Sequence, residues 1–446
     1  MADICVVGLG KVGLSLALLL AKAKHRVFGV EVNPQTLNRI RNNKHEMVDE
    51  DPEKVLLQQL LDKQLFVTED LHDAISKSDA IFIAIGTGVS PNGKPELSSL
   101  FDLVEKMCDA PSKVKGRLFV LKSTLPVGTT RKIVTTMEEK TNLRCGHDFF
   151  VAFCPERVLG DKVTSEMASL PKIIGGYNKK SSEKAARIYK TIGGKIIIVE
   201  RPETAELIKL MDNAYRQTLF AFANDFALLA EQIGINAYEL IKTANDSYPR
   251  NNIPMPSGGV SGYCLTKDPL YLEESFKEIA SKRGFPSVWF SARKANDYMP
   301  VHMVDLLEQA LTRAGRQLKG SNILVCGITY KENTNDIRCS HGLEIASRLR
   351  DKKANVFLWD PCVQQRNLGY QMVNAPLEVL SLLDAMVFTV KHDQFAQLSN
   401  ALKIEDMIGK MRTRVVVDGW GLFQRLAEKK DIQYLGIGLP NERKRR

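Results

Sequence analysis

Two doubly wound α/β sheets of the nucleotide-binding kind, Rossmann-like and joined by a central helical domain, are what this sequence predicts. Three observations carry that prediction. An apolar run over 4–7 passes straight into Gly8-Leu9-Gly10-Lys11-Val12-Gly13 and then into an Ala/Leu-rich helical stretch. Short β-type runs ending in polar or Gly/Pro loop residues alternate with helical patterns to about residue 200, and the same style resumes at residue 321. The stretch between them carries apolar residues at helical spacing. The expected domains are a dinucleotide-binding unit over 1–200, a helical unit over 201–316 and a second nucleotide-binding unit over 317–446.

In the first unit the order is strand, glycine turn, helix, a second strand over 26–30, and an acid. Gly8 permits the tight turn, Gly10 lets the backbone approach a pyrophosphate, and Gly13 lets the helix lie close to the strand. The helical stretch expected over 14–23 offers unpaired N–H groups at its N-terminus to the phosphates, with Lys11 and Val12 of the turn beside them. Glu31 ends the second strand, where it accepts from both ribose hydroxyls and repels a 2′-phosphate, so the expected cofactor is NAD rather than NADP. Runs over 80–85, 118–121 and 149–153 lead into Gly86-Thr87-Gly88, Lys122-Ser123-Thr124 and Cys154-Pro155-Glu156-Arg157. Such loops gather at the carboxyl ends of the strands, where ligands bind. A further strand is expected over 195–200.

Residues 203–234 form a long helical pattern. Lys209, Asn213 and Arg216 fall at i, i+4 and i+7 on it and share one face. That stripe is either a solvated face or an acid/base and oxyanion-binding surface. A Gly/Pro-rich loop over 248–262 ends in Ser257-Gly258-Gly259-Val260-Ser261-Gly262, followed by Tyr263, Cys264 and, four residues on, Asp268. A helix starting near Cys264 would favour its thiolate; the alternative is a buried, inert cysteine. Beyond residue 321, a strand over 322–327, a helix over 341–350 and a strand over 355–359 ending at Asp360 echo the first unit with a longer first loop. Strands over 385–390 and 415–418 continue that sheet.

Composition narrows the function. The 446 residues are 44% apolar, too hydrophobic for a disordered chain. No apolar run approaches the ~20 residues of a membrane span, and the N-terminus lacks a basic leader, so a cytoplasmic protein with no membrane partner is expected. The 8 cysteines are scattered without a C-x-x-C pair, which argues for reduced thiols. The 7 histidines lack metal-ligand spacing, so no metal site is expected. A net charge of +10 favours anionic partners. Its one tight basic cluster is Arg443-Lys444-Arg445-Arg446, and no aromatic-interleaved basic stripe points to nucleic acid.

Six segments, in order, carry a resemblance to a known family. They are Gly8 to Gly13, Ser123-Thr124-Leu125-Pro126-Val127-Gly128-Thr129-Thr130, Cys154-Pro155-Glu156-Arg157-Val158-Leu159, residues 205–213, Gly262 to Pro269 and residues 327–338. From the first strand to about residue 423 the chain resembles the UDP-sugar 6-dehydrogenases. The resemblance implies a four-electron oxidation of a UDP-sugar C6 alcohol to the acid with two NAD+, through a thiohemiacetal and a thioester on Cys264. It implies that Lys209 stabilises oxyanions and relays protons, that Asn213 adds a hydrogen bond, and that Asp268 orients water or assists proton transfer. Thr124 is implied beside the nicotinamide or a bound water, and Thr87 on the cofactor. Tyr330 and Lys331 match the substrate-contacting pair, and Arg338 an arginine reaching the cofactor or a neighbouring site.

Pro155-Glu156-Arg157-Val158 and Tyr248-Pro249-Arg250 resemble the branch that handles N-acetylated hexosamines, with Arg157, Arg216 and Arg250 directed to the N-acetyl group, its neighbours or the phosphates. Tyr263 and Lys267 resemble the UDP-glucose branch instead. Gly160 stands where that branch has a second acid, which leaves Glu156 and Asp268 as candidates to activate water. The expected substrate is UDP-N-acetylmannosamine or UDP-N-acetylglucosamine, with UDP-glucose as the alternative. A two-electron β-hydroxyacid dehydrogenase and a nucleic-acid-binding module are the remote readings. The resemblance also implies a homodimer through the helical middle.

Overall fold

The computed structural model describes residues 1–43, 51–158, 163–364, 367–400 and 403–440. Gly160, Leu159 and the basic run at 443–446 lie outside the described residues. The chain forms two compact units, Met1–Asp212 with Leu270–Ile279, and Asn213–Pro269 with Ala280–Arg446. The helices of the middle are shared between them.

The first unit is built on strands β1 (Asp3–Val7), β2 (Arg26–Val30), β3 (Leu65–Thr68), β4 (Ala80–Ile83), β5 (Leu118–Leu121), β6 (Phe150–Phe153), β7 (Lys172–Gly176) and β8 (Ile196–Val199). Their order is β8-β7-β6-β5-β4-β1-β2-β3. The six strands from β3 to β6 run parallel. Alternation divides their side chains between two buried layers: Ile4, Val6, Phe82 and Val120 on one face, Cys5, Val7, Ile81, Ile83 and Phe119 on the other. Helix Lys11–Lys22 covers the first face, and helices Ser98–Cys108 and Thr129–Thr141 cover the second. The expected strand over 195–200 is β8. Strand β7 has no counterpart in the sequence reading; it runs antiparallel to β6 and parallel to β8. Two of its five residues are Gly175 and Gly176, which dilute the β-branched signal. Gly175 is required by packing, since a Cβ there would lie 2.7 Å from Pro202 Cα.

The second unit carries an all-parallel sheet of β9 (Asn322–Cys326), β10 (Asn355–Trp359), β11 (Gln371–Met372), β12 (Ala385–Phe388), β13 (Val415–Asp418) and β14 (Gln433–Gly436), ordered β11-β10-β9-β12-β13-β14. Helix Val288–Arg313 lays Met303, Leu307, Ala310 and Leu311 against Ile323, Val325, Val387 and Val417. The echo seen in the sequence extends to hydrogen bonds. Gly8 N–H donates to Val30 O at 2.8 Å and Gly327 N–H to Trp359 O at 2.8 Å. Leu9 N–H donates to Glu31 Oε2 at 3.0 Å, and Ile328 N–H to Asp360 Oδ2 at 2.7 Å. The same backbone turn has been built twice, once open and once filled by the loop over 329–340. No helix among the described residues is long and apolar enough to cross a membrane.

Candidate active site

In the first unit the dinucleotide turn has the geometry its glycines predict. Gly8 has φ +89°. A Cβ on Gly13 would lie 1.8 Å from Gly8 O, so helix Lys11–Lys22 abuts the β1 turn only because residue 13 has no side chain. A Cβ on Gly10, the residue preceding the helix, would meet nothing within 4 Å, leaving a cradle open to a ligand above the helix N-terminus. Lys11 and Val12 form the first helical residues. Glu31 closes the turn, its second oxygen accepting from Asn33 N–H at 3.0 Å. This donor-rich, open cradle with an acid beside it fits NAD, which would supply a hydride acceptor when bound.

Beside it, Thr87 Oγ1 donates to Thr124 O at 2.8 Å, tying together the loops that follow β4 and β5. The 123–130 loop is anchored by Glu206, a residue the sequence reading passed over. Its buried carboxylate accepts from Gly128 N–H, Thr130 N–H at 2.8 Å and Thr130 Oγ1 at 2.6 Å. Burial nevertheless raises its pKa. Glu206 lies one turn before Lys209 on helix Pro202–Ile233, and Lys209 is itself buried.

Glu156 sits at the end of β6 in a buried ion pair with Lys122 at 3.0 Å, the lysine also reaching Tyr189 Oη at 3.3 Å. Burial opposes both charges, but each overcomes it for the other: Lys122 is held above its ordinary pKa and Glu156 below its own. The other Glu156 oxygen accepts from Arg157 N–H at 2.9 Å. Arg157 pairs with Asp212 at 3.1 Å, and Val158 packs on the core of this unit. Lys122 had no distinguishing signal in the sequence, because its partner lies 34 residues away at the end of a neighbouring strand.

In the second unit, helix Tyr263–Arg283 starts at Gly262, whose φ of +91° a side-chain-bearing residue rarely adopts. Cys264 is therefore a first-turn residue and is exposed, not buried. One turn on, Asp268 is fully buried; its Oδ2 accepts from Asn213 Nδ2. Asn213 Oδ1 in turn accepts from Arg216, and Lys267 Nζ lies 3.6 Å from Asp268 Oδ1. Asn213 and Arg216, two of the three residues of the predicted stripe, thus form one hydrogen-bonded chain with Asp268. Tyr330 packs its ring on Gly262, where a Cβ would come within 2.5 Å of a ring carbon. Lys331 follows it, its carbonyl accepting from Thr329 Oγ1 at 2.8 Å. Arg338 is clamped by Asp336, whose hydrogen bond raises the guanidinium pKa, and lies close enough to Cys264 to interact with it electrostatically. Tyr248 and Arg250 are exposed and face each other, the guanidinium carbon 5.8 Å from the ring centre.

Among the described residues, Asp360, Cys362 and His392 come as close together as metal ligands do. They also bind one another and the turn: Asp360 accepts from Ile328, Thr329 and Cys362 N–H groups and contacts His392 Nε2 at 3.2 Å, while Asn333 N–H donates to His392 Nδ1 at 3.0 Å, with Cys362 Sγ 3.7 Å from the same nitrogen. The group works as a clamp on the filled turn.

An open glycine turn with an acid at the end of the next strand, and a second sheet built on the same turn, define a protein with two sheets of the nucleotide-binding kind. Comparison with known proteins agrees. Residues 2–193 match the NAD binding domain of the UDP-glucose/GDP-mannose dehydrogenase family, 203–298 its central domain and 324–425 its UDP binding domain. The chain belongs to this family and is an NAD-dependent UDP-sugar dehydrogenase. It is 32% identical to a UDP-N-acetyl-D-mannosamine dehydrogenase of Pyrococcus horikoshii, over 93% of this chain and 94% of the relative. It is also 32% identical to an NDP-N-acetyl-D-galactosaminuronic acid dehydrogenase of Ralstonia nicotianae, over 94% and 96%. The solved UDP-D-ManNAc dehydrogenase of Pyrococcus horikoshii superposes with a TM-score of 0.86 at 31% identity, covering 98% of this chain and 99% of the other. A UDP-glucose dehydrogenase of Pyrobaculum islandicum superposes with 0.84 at 27% identity, covering 98% of each.

Proposed function

We propose that the protein oxidises the C6 alcohol of a UDP-N-acetylhexosamine, UDP-N-acetylmannosamine or UDP-N-acetylglucosamine, to the carboxylate in two successive two-electron steps at Cys264. The observation that carries this reading is an exposed thiol on the first turn of a helix, with a buried Asp268 one turn below it. A thiolate is strongly nucleophilic and can hold the aldehyde covalently between the two oxidations. The alcohol loses a proton and a hydride to give the aldehyde, and the thiolate adds to the aldehyde carbon. Loss of a second hydride from that thiohemiacetal leaves a thioester. Water then cleaves the C–S bond, giving the acid and returning the thiol.

Lys209 stabilises the developing oxyanions and relays protons, and Asn213 adds a hydrogen bond. For the hydrolytic water we assign Asp268 rather than Glu156 as base. Both Glu156 oxygens are committed, to Lys122 and to Arg157 N–H, and its pKa is depressed, which weakens it as a base. Asp268 Oδ1 accepts no hydrogen bond, and its nearest cation, Lys267 Nζ, stands off at 3.6 Å. Tyr330 and Lys331 bind the UDP moiety, and Arg157, Arg216 and Arg250 contact the N-acetyl side of the sugar or the phosphates. The names of the N-acetylhexosamine relatives support the sugar assignment.

The same reading includes a homodimer in the cytoplasm. Helix Pro202–Ile233 exposes Tyr215, Phe222, Phe226, Leu229 and Ile233 along one face while its small residues Ala223, Ala227 and Ala230 are buried. A stripe of large apolar side chains of this length suits a second copy of the chain. Light scattering at micromolar concentration tests it; a monomer contradicts it.

The decisive experiment is a panel of UDP-N-acetylmannosamine, UDP-N-acetylglucosamine and UDP-glucose, with NADH stoichiometry and product mass. Two NADH per acid formed from an N-acetylated sugar is expected. One NADH per turnover ending at an aldehyde or ketone, or preference for UDP-glucose, refutes the respective part. Cys264→Ser should abolish acid formation while NAD affinity stays within about twofold.

A further inference from the structure

The glycine-rich loop before Cys264 is gripped by the end of the loop that fills the second turn, in the same unit. Gly262 N–H donates to Cys339 O at 3.1 Å. His341 N–H donates to Ser261 Oγ at 3.0 Å, and His341 Nδ1 lies 3.1 Å from Gly258 O. A carbonyl only accepts, so Nδ1 carries the proton and the ring is held in that tautomer. Gly259, with φ +104°, lies so close that a Cβ would sit 2.6 Å from the His341 ring. From the other side, Asn224 Oδ1 accepts from Ser257 N–H at 2.9 Å. His341 is buried, opens helix His341–Asp351, and follows directly on the loop that carries Tyr330 and Lys331.

We propose that His341 is a positioning residue for Cys264. Through Ser261 and Gly258 it fixes the loop whose last residue, Gly262, starts the cysteine helix, and it ties that start to the segment bearing the nucleotide contacts. The thiol's approach to the sugar carbon is thereby referenced to the UDP moiety. The inference rests on the reading of Cys264 as nucleophile and of Tyr330 and Lys331 as contacts to the UDP moiety.

The test compares His341→Leu, which deletes the Nδ1–H donor, with His341→Asn, whose side-chain amide replaces it. Each is assayed for kcat, KM, UDP affinity by calorimetry, and the rate of iodoacetamide alkylation of Cys264 without substrate, read by peptide mass spectrometry. For His341→Leu we expect kcat to fall at least tenfold and alkylation to change at least threefold, with UDP affinity within twofold. His341→Asn should stay within threefold of wild type throughout. An unaltered kcat and alkylation rate in folded His341→Leu overturns the proposal. So does a loss of UDP affinity matching the loss of kcat, or an Asn variant as impaired as Leu. If His341→Leu does not fold, Ser261→Ala carries the test; an unchanged alkylation rate there also overturns it. Alkylation needs no turnover, so acid formation by Cys264→Ser would refute the nucleophile reading while leaving the positioning result to stand by itself.

Discussion

Replacing Lys122 by Met leaves Glu156 ionised, largely buried and without its cation. The lysine side chain is fully inaccessible and the glutamate 12% exposed, and the pair is 3.0 Å apart. Breaking a buried pair by removing one partner costs about 3–5 kcal/mol, because the surviving charge stays desolvated. Lys122→Met also takes a donor from Tyr189 Oη. At roughly 2–4 °C per kcal/mol for a unit of this size, the first unit should melt on the order of 10 °C lower. Lys122→Met with Glu156→Gln removes both charges and should recover at least half of that loss, which a double-mutant cycle in urea reads directly. The depressed carboxyl pKa of Glu156 should return upward in Lys122→Met, so that the variant loses less stability on acidification than wild type. A single variant costing under about 1 kcal/mol, or a double variant no more stable than the single, would refute the argument that this pair is held by mutual compensation in a dry site.

Glu31→Ala removes a carboxylate with two backbone donors and the expected ribose contact; a loss of roughly 1.5–3 kcal/mol, or about 10- to 150-fold in NAD affinity, is expected by fluorescence titration. Unchanged affinity would mean the ribose lies elsewhere. Gly262→Ala must place a Cβ at φ +91° and 2.5 Å from the Tyr330 ring, so turnover should fall more than about tenfold with NAD affinity retained. Burial, aided by Arg293, lowers the His341 pKa from 6.5 to about 4. The unfolded chain therefore binds a proton that the folded one refuses, and stability is fully present above the unfolded value and lost as pH falls toward 4. The contribution is roughly 3 kcal/mol. Urea unfolding at about pH 7 and about pH 4.5 should show it in wild type and not in His341→Asn.

The parts of the site that are local in sequence were legible there. Gly8 and Gly13 each meet a backbone requirement within one strand-turn-helix, Gly10 leaves the space above the helix open, and Cys264 lies two residues after the glycine that precedes its helix. Lys209, Asn213 and Arg216 follow from helical periodicity alone. Strand β7 was missed because its glycines serve packing, Gly175 against residue 202 and Gly176 against Ser182, contacts the local pattern does not encode. The Lys122–Glu156 pair, the Glu206 anchor and the His341 clamp join residues 34, 76 and 80 positions apart.

The sequence alone determined two turns of the nucleotide-binding kind, an acid at the end of the second strand, a long helix with a polar stripe and a cysteine at a helix start. All of these depend on spacings of a few residues, where backbone geometry dictates which side chains meet. Only the tertiary structure decided which charges are dry and paired, which of two carboxylates keeps an oxygen that accepts no hydrogen bond, and what holds the cysteine loop. Those depend on which strand ends become neighbours, and no local spacing carries that information.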